Sequence, residues 1–197
     1  MNYFQYTFKF ENALVDYARE IFERNHDPLT SFGVVAKQLP DALLQCMNKE
    51  FASLGIDLIQ YIHFWRKPAN HHQPIHVDPW DWDVAGGFSD KIVPTHVAIN
   101  IPITTSVDTS MFWYEGDHEL QYKTTQVKSK EVRLFNIKWF DDPKMSDELI
   151  FNRTHIVRVH TPHNVIIGDQ SRDLISLRLK SNPTFDRVVA RLKDRSL

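Results

Sequence analysis

The segment 70–80 contains the residues of this sequence best suited to bind a metal ion, in the order His76-Val77-Asp78. On an extended strand, residues i and i+2 point to the same face. His76 and Asp78 would then present an imidazole and a carboxylate to one ion, while Val77 faces the other way. A second histidine from a distant strand would complete a facial set of two histidines and one carboxylate, which binds Fe(II) and leaves coordination positions open.

The sequence around this tripeptide strengthens the prediction, because a short polar motif alone arises often by chance. A strand-like run over 58–65 precedes it, and Pro79 follows it and ends the strand. The second histidine that fits is His163, which lies just after Pro162. A further strand-like run, 172–179, follows His163 and begins with an arginine.

With these residues in this order, the sequence resembles the Fe(II)/2-oxoglutarate-dependent oxygenases. That family carries His-x-Asp, a distant His and, shortly after it, an Arg that opens a strand of the form Arg-x-x-x-Ser-x-x. The matching segments are His76-Val77-Asp78, Pro162-His163, Arg172 through Arg178, and the inner-strand-like run 98–103. The resemblance covers roughly residues 57–181. It implies that His76, Asp78 and His163 hold Fe(II), and that the fold is a double-stranded β-helix, or jelly roll.

The resemblance also implies a site for 2-oxoglutarate, whose keto oxygen and C1 carboxylate would chelate the iron. The C5 carboxylate needs a buried cation, and the planar fork of an arginine grips a carboxylate with two parallel hydrogen bonds. Arg172 and Arg178 would face the same side of a regular strand, so parity does not choose between them. We favour Arg172, which opens its strand near the barrel mouth. Tyr61 and Asn100 are further candidates for contact with 2-oxoglutarate, and each has an alternative role as a purely structural residue.

Other residues near the motif leave the function more open. Trp80, Trp113 and His71 are candidates to line a substrate pocket, although tryptophans on strands usually pack in a core. His71 or His72 could instead ligate metal in a cupin-type metalloenzyme that does not use 2-oxoglutarate and leaves Arg172 without a ligand. A third possibility is a non-catalytic binding module on the same barrel, since a fold does not fix a function. His155 is interpreted as a sheet-surface residue.

Hydrophobic periodicity predicts the elements that must position these residues. An alternating strand is predicted over 2–10, and helices are predicted from Asn12 to about residue 25, from Pro40 to Gly55, and after Thr184. The predicted strands are 57–65, 74–78, 94–103, 109–115, 119–122, 131–138, 154–160, 163–167 and 172–180, with a polar loop over 140–152. This order is typical of a mainly β fold with flanking helices, a jelly roll or cupin-like barrel buttressed by its N-terminal helices.

One domain, 1–197, is expected, with an N-terminal strand and helices over 1–56, a barrel core over 57–181 and a C-terminal helix over 182–197. A net charge of −2 without a basic run gives no nucleic-acid footprint. Cys46, interpreted as a helix core residue, is the only cysteine, which favours a reducing compartment. With no signal peptide or membrane span in the sequence, a cytoplasmic hydroxylase is predicted that uses O₂ on a small molecule or side chain.

Overall fold

The computed structural model describes residues 1–24, 31–82, 88–104, 108–127 and 130–194, with only the backbone described for 31–35, 80–82, 88–92, 122–127 and 130–134. The helices are α1 (Glu11–Arg24), α2 (Asp41–Leu54) and α3 (Phe185–Lys193), with a 3₁₀ turn at Ala36–Gln38. The strands are β1 (Tyr3–Gln5), β2 (Ser31–Val35), β3 (Ile59–Lys67), β4 (Pro79–Trp82), β5 (Phe88–Pro94), β6 (Val97–Pro102), β7 (Thr109–Glu115), β8 (His118–Val127), β9 (Lys130–Trp139), β10 (Lys144–Ile150), β11 (His155–Arg158), β12 (His163–Ile167) and β13 (Arg172–Leu179).

Two antiparallel sheets form the centre of the molecule. The larger has six strands in the order β1-β11-β6-β13-β3-β2, and the smaller has three in the order β10-β7-β12. Ala98 and Val157 of the larger sheet pack in one buried cluster with Met111, Trp113 and Val165 of the smaller sheet. The two sheets therefore face each other across an apolar layer, as in a β-sandwich. Two hairpins, β4-β5 and β8-β9, complete the described strands.

The helices cover the opposite face of the larger sheet. Leu43, Met47 and Phe51 of α2 share a buried cluster with Ile62 and Phe64 of β3. The i, i+4, i+8 spacing of the α2 residues places them on one side of the helix. The cluster also draws on α1 and α3, so the apolar periodicity that predicts the helices also explains where they pack. None of the described helices combines the length and the apolar character needed to cross a lipid bilayer.

Strand alternation divides the side chains of the larger sheet between these two layers. On β13, Ile175 and Leu177 belong to the helix-side cluster. Arg172, Ser176 and Arg178 have the opposite parity and line a cavity between the sheets. The strand that carries both predicted arginines therefore turns them to the inside of the sandwich.

The structure corrects three predicted segments. The run 140–152 is not a loop throughout, because β10 occupies Lys144–Ile150 and pairs with β7. Most β10 side chains are exposed and only Leu149 is buried, so this edge strand lacks the apolar alternation that identifies a strand. The run 74–78 is not a strand and has only single bridges. The strand predicted over 2–10 shrinks to β1, and β2, β4 and β5 were not predicted.

Two residues interpreted from the sequence also lie elsewhere. Cys46 is exposed on α2 rather than buried in the core, since the neighbouring Met47 takes the inward position. His155 is only 4% exposed and so is not a sheet-surface residue. Its ring lies edge-on to Tyr3 and Phe151, and its Nδ1 donates to the Arg153 carbonyl.

Candidate metal centre

The side chains of His76, Asp78 and His163 converge on one point inside the sandwich. One ligand atom from each, an imidazole nitrogen or a carboxylate oxygen, lies within 4.8 Å of the other two. Asp78 Oδ1 is 3.3 Å from His76 Nε2 and 3.9 Å from His163 Nε2. Among the described residues these three form the one such group of histidines, cysteines and carboxylates. The donor set is that of a facial site for a divalent transition metal.

Main-chain hydrogen bonds between two distant segments hold the histidines side by side. His76 N donates to His163 O at 2.8 Å, and His163 N donates to His76 O at 2.9 Å. Residues that exchange both bonds are directly opposite in an antiparallel pair, so their side chains leave the backbone on the same face. The two rings accordingly lie 4.4 Å apart between centroids.

Extended backbone then brings Asp78 to the same side as His76, although this segment is not a regular strand. Asp78 N donates to Val159 O at 3.2 Å, and Thr95 N donates to Asp78 O at 2.7 Å. Val77 points the other way, is buried, and pairs with Phe135 of β9. The i, i+2 relation inferred from sequence therefore holds through bridges to neighbouring segments rather than through a sheet ladder.

Hydrogen bonds fix the tautomer of both imidazoles. His76 Nδ1 donates to the Pro74 carbonyl at 2.8 Å, and His163 Nδ1 donates to the Thr161 carbonyl at 2.9 Å. A carbonyl oxygen can only accept, so each Nδ1 carries a proton, and in the neutral form each ring has its lone pair on Nε2. That lone pair faces Asp78, and a carbonyl partner behind a ligand histidine is the usual arrangement at protein metal sites.

The environment keeps Asp78 ionised and His163 neutral, which are the forms that bind metal. Burial alone would raise the pKa of Asp78, but Arg178 and the two histidines outweigh burial and hold that pKa far below its ordinary value. Burial, reinforced by His76, lowers the pKa of His163 to about 3. For His76, burial acts to lower the pKa, but the hydrogen bond with Asp78 prevails and the pKa is raised.

A chain of hydrogen bonds supports Asp78 from behind. Arg178 Nη2 donates to Asp78 Oδ2 at 2.6 Å, and Arg178 Nη1 donates to Ser176 Oγ at 2.6 Å. Ser176 Oγ donates in turn to Asn100 Oδ1 at 2.6 Å. Arg178 therefore leaves Oδ1 directed toward the histidines and takes Oδ2 for itself, so Asp78 is set up to offer one oxygen to an ion.

Replacing Arg178 by methionine is expected to weaken metal binding by about 10- to 100-fold, the usual effect of removing a group that orients a ligand. Without the guanidinium, the carboxylate can rotate and its pKa rises toward that of a buried acid. Calorimetric titration with Mn(II) measures the effect, and circular dichroism checks the fold. Arg153→Met, which removes an exposed arginine, is the matched control. Equal metal affinity in Arg178→Met and Arg153→Met would contradict this role.

Arg172 is the second arginine of β13 and differs from Arg178 in having no acidic partner among the described residues. It is 7% exposed, its guanidinium lies 4.1 Å from the centroid of the Phe151 ring, and it lines the cavity that holds the triad. Its Nε and Nη2 atoms are buried and have no hydrogen-bond partner among the described residues. Burial lowers the pKa of Arg172 to about 9, so it remains charged at neutral pH. An unpartnered buried cation facing a cavity is the group that a carboxylate ligand requires.

The cavity between the sheets is open to solvent and has a volume of about 70 Å³. Apolar side chains from both sheets and from the segment before β12 form much of its wall: Met111, Val159, Val165, Ile167 and Leu174. Most of the other lining residues are polar, and they include the triad, Arg172, and the hydrogen-bonded residues Arg178, Ser176 and Asn100. A cavity with an apolar part of its wall and converging polar groups is typical of a small-molecule site.

Of the other residues predicted for the site, some line the cavity and others do not. Asn100 and His71 line the cavity. Tyr61 has the same parity on β3 as Trp65 and Lys67, which line the cavity. Its hydroxyl, however, lies 3.2 Å from His63 Nε2, and Tyr61 itself is not part of the cavity wall. Trp113 is fully buried, donates from Nε1 to the Arg158 carbonyl at 2.7 Å, and is also absent from the wall, which corrects its expected pocket role. The side chain of Trp80 lies outside what the structure describes.

Several cavity residues were missed by sequence reasoning. Trp65 and Lys67 line the cavity because they share the parity of Tyr61 on β3, and Ser176 does so because it shares the parity of Arg172 on β13. Strand alternation would have identified all three once an inward residue was fixed on each strand. Gln73, whose amide nitrogen lies 3.2 Å from His76 Nε2, gave no such signal because it is in an irregular segment.

Comparisons with known proteins give similarity of fold but not of sequence. No family model matches the chain, and no curated protein matches it. Among solved structures, it is similar to HygX from Streptomyces hygroscopicus with nickel and 2-oxoglutarate bound, with a TM-score of 0.48 and 8% identity over 89% of this chain and 80% of HygX. The iron-bound form of HygX gives a TM-score of 0.47 and 10% identity over 89% of this chain and 81% of HygX.

A third similar structure is an oxidoreductase of the 2OG-Fe(II) oxygenase family from Burkholderia pseudomallei, with a TM-score of 0.33 and 11% identity over 74% of this chain and 56% of that protein. Identities and TM-scores this low describe a distant likeness of fold.

Proposed function

We propose that this chain is an Fe(II)- and 2-oxoglutarate-dependent oxygenase of the hydroxylase type, built as a single jelly-roll domain. The observation that carries the proposal is the presence of two complementary groups in one cavity. A set of two histidines and one carboxylate, preset to bind a divalent metal, lies in the same cavity as the buried Arg172, whose Nε and Nη2 have no hydrogen-bond partner among the described residues. A metal-chelating dicarboxylate fits both features. The lone cysteine supports a cytoplasmic location.

In this proposal, five polar residues of the cavity have defined tasks. His76 and His163 offer Nε2 and Asp78 offers Oδ1 to Fe(II), and Arg172 pairs with the far carboxylate of 2-oxoglutarate. When bound, iron and 2-oxoglutarate supply the oxidation, in which O₂ and 2-oxoglutarate are consumed, succinate and CO₂ are released, and a substrate C–H becomes C–OH. The apolar wall excludes water, and Arg178 keeps the Asp78 carboxylate in a single orientation.

The cupin-type alternative fits the geometry less well. It requires a further histidine ligand, for which His71 and His72 are the nearby candidates. His71 is in the cavity wall but is not one of the converging group, and His72 is exposed. This alternative also leaves Arg172 buried in the cavity wall without an anion to bind. A non-catalytic binding module would bind its ligand in the same cavity. It differs from the proposed oxygenase in that it would form no succinate.

Two measurements test the proposal. Calorimetry without O₂ should show that 2-oxoglutarate binds to the Fe(II)-loaded protein and not to the metal-free protein. On admitting O₂, succinate should form only when both Fe(II) and 2-oxoglutarate are present. Absence of metal-dependent 2-oxoglutarate binding would overturn the proposal. Metal-dependent O₂ uptake that ignores 2-oxoglutarate would favour the cupin-type enzyme, and binding without succinate for any added substrate would favour the binding module.

A further inference from the structure

The cavity holds more positive charge than the proposed iron and 2-oxoglutarate account for. Its ionisable wall residues other than histidines are Lys67, Asp78, Arg172 and Arg178. Arg178 and Asp78 form an ion pair and offset each other. The two charges of 2-oxoglutarate equal those of Fe(II), so the charges of Arg172 and Lys67 remain as a net excess. Of these two cations, Arg172 is taken by the far carboxylate of 2-oxoglutarate, which leaves Lys67 without a counter-charge in the cavity wall. A partly buried site with an excess of one sign of charge attracts ligands of the opposite sign.

Lys67 is the less buried of these two cations. It is the last residue of β3, directly opposite Arg172 on β13, and its side chain is partly exposed. Its Nζ lies 5.0 Å from the centroid of the Trp65 ring. No carboxylate of the described residues lies within ion-pair distance of Lys67. Lys67 is therefore an ammonium group at the cavity wall that is in contact with an aromatic ring and has no acidic partner in the part of the chain that the structure describes.

Arg172 and Lys67 differ in how far their side chains are buried, which suits them to different ligands. Arg172 is enclosed, with one face of its guanidinium against Phe151. Lys67 has solvent access, and it is close enough to His71 to contribute to the lowered pKa of that histidine, after the larger effect of burial. Trp65, Lys67 and His71 together form an aromatic and cationic rim, to which the described residues add no acid. A planar arginine fork suits a fixed carboxylate, whereas a lysine is a mobile point charge that suits a ligand entering from solvent.

We propose that the primary substrate is a small molecule carrying a carboxylate or phosphate, and that Lys67 binds this anionic group at the rim. The reaction at the bound molecule rests on the proposed function, whereas the anion site rests on the rim alone. Trp65 would pack against the body of the substrate next to its anionic group. Such an anchor fixes one end of the molecule and so selects which carbon reaches the triad.

The anion site is tested by binding, without turnover. Protein loaded with Mn(II) and saturated with 2-oxoglutarate is titrated by calorimetry with inorganic phosphate and, separately, with acetate. One further equivalent of at least one anion should bind, and Lys67→Gln should weaken it about 10- to 100-fold, the worth of a hydrogen bond to a charged group. Lys49→Gln, which neutralises an exposed lysine on α2, should bind as the unaltered protein does.

Two binding results would overturn the proposal. One is anion binding of equal strength in Lys67→Gln and Lys49→Gln. The other is a loss of 2-oxoglutarate affinity in Lys67→Gln as large as in Arg172→Ala, because Lys67 would then serve the co-substrate. Preferential binding of phosphate would indicate a phosphorylated substrate, and preferential binding of acetate would indicate a carboxylic acid.

Turnover tests the substrate class. Succinate release is measured with acids and their methyl esters in matched pairs, for example N-acetyl amino acids. Acids should stimulate release more than esters, and Lys67→Glu should reverse the preference toward amines. Stimulation by esters equal to that by acids would count against an anionic substrate. If no compound yields succinate while phosphate or acetate binding still depends on Lys67, the proposed oxygenase function fails and the anion site stands.

Discussion

Asp78→Ala is expected to reduce metal affinity by more than about 100-fold, beyond the range for residues that only orient a ligand. Asp78 is the sole carboxylate of the triad and the partner of both histidines. Two neutral imidazoles alone neither offset the charge of a divalent ion nor complete a facial set. Titration with Mn(II) and with Fe(II) under anaerobic conditions measures the loss.

A second substitution of Asp78 is needed, because Asp78→Ala leaves the charge of Arg178 without the carboxylate that it pairs with. Removing one partner of a buried ion pair typically destabilises a protein by about 3–5 kcal/mol. Asp78→Asn keeps the shape and a hydrogen-bond acceptor for Arg178 while weakening the ligand, so a folded Asp78→Asn protein that fails to bind metal isolates the effect. Asp41→Asn, an exposed carboxylate at the start of α2, is the control. A folded Asp78→Asn protein with the affinity of Asp41→Asn would show that the triad is not the metal site.

Arg172→Met should have two opposite effects, a more stable protein and a loss of 2-oxoglutarate binding. The arginine is buried without a hydrogen-bond partner for Nε and Nη2 among the described residues, and burial has already lowered its pKa to about 9. Replacing buried charges by apolar groups of similar size often stabilises a protein by about 1–4 kcal/mol. Losing two charged hydrogen bonds to a carboxylate should cost roughly 100-fold or more in affinity for 2-oxoglutarate.

Thermal unfolding without ligand and calorimetry with metal and 2-oxoglutarate measure the two effects of Arg172→Met separately. Arg172→Lys is the informative companion, since it keeps the charge but not the planar fork, and it should recover little of the affinity. Arg153→Met removes an exposed arginine and should change neither quantity. A destabilised Arg172→Met protein that still binds 2-oxoglutarate would show that this arginine is a structural residue and that the co-substrate is anchored elsewhere.

The site could be predicted from sequence to the extent that its residues obey strand alternation. His76 and Asp78 are two apart, and Arg172 and Arg178 have the same parity, so each pair was expected on one face. Parity could not show which arginine has which role. The roles differ because Arg178 pairs with Asp78, a residue 100 positions away in the sequence, and strand periodicity does not predict such a long-range contact. Trp113 was misplaced for a related reason. Its aromatic type suits a core and a pocket equally, and only the packing against Tyr3 decides between them.

The fold was predicted where apolar periodicity is strong and was missed where it is weak. Pro40 and Gly55 correctly bracket α2, and Gly55 has the left-handed φ of 65° that a glycine adopts readily. The strand β10 escaped detection because its buried side is almost confined to Leu149. Cys46 was misassigned by one position on the helix, and a single residue of rotation there exchanges a core side chain for an exposed one.

The paired backbone of His76 and His163 has a consequence for how the protein is assembled. Joining chain segments as far apart as His76 and His163 costs about 4 kcal/mol in loop-closure entropy. The unfolded chain therefore does not hold the three side chains of the triad together, and an ion at this site would bind almost exclusively to the native state. By mass action, metal at one hundred times its dissociation constant adds about 2.7 kcal/mol to the free energy of unfolding. A metal ion bound to the triad would thus also stabilise the native fold, by joining segments from the two halves of the chain.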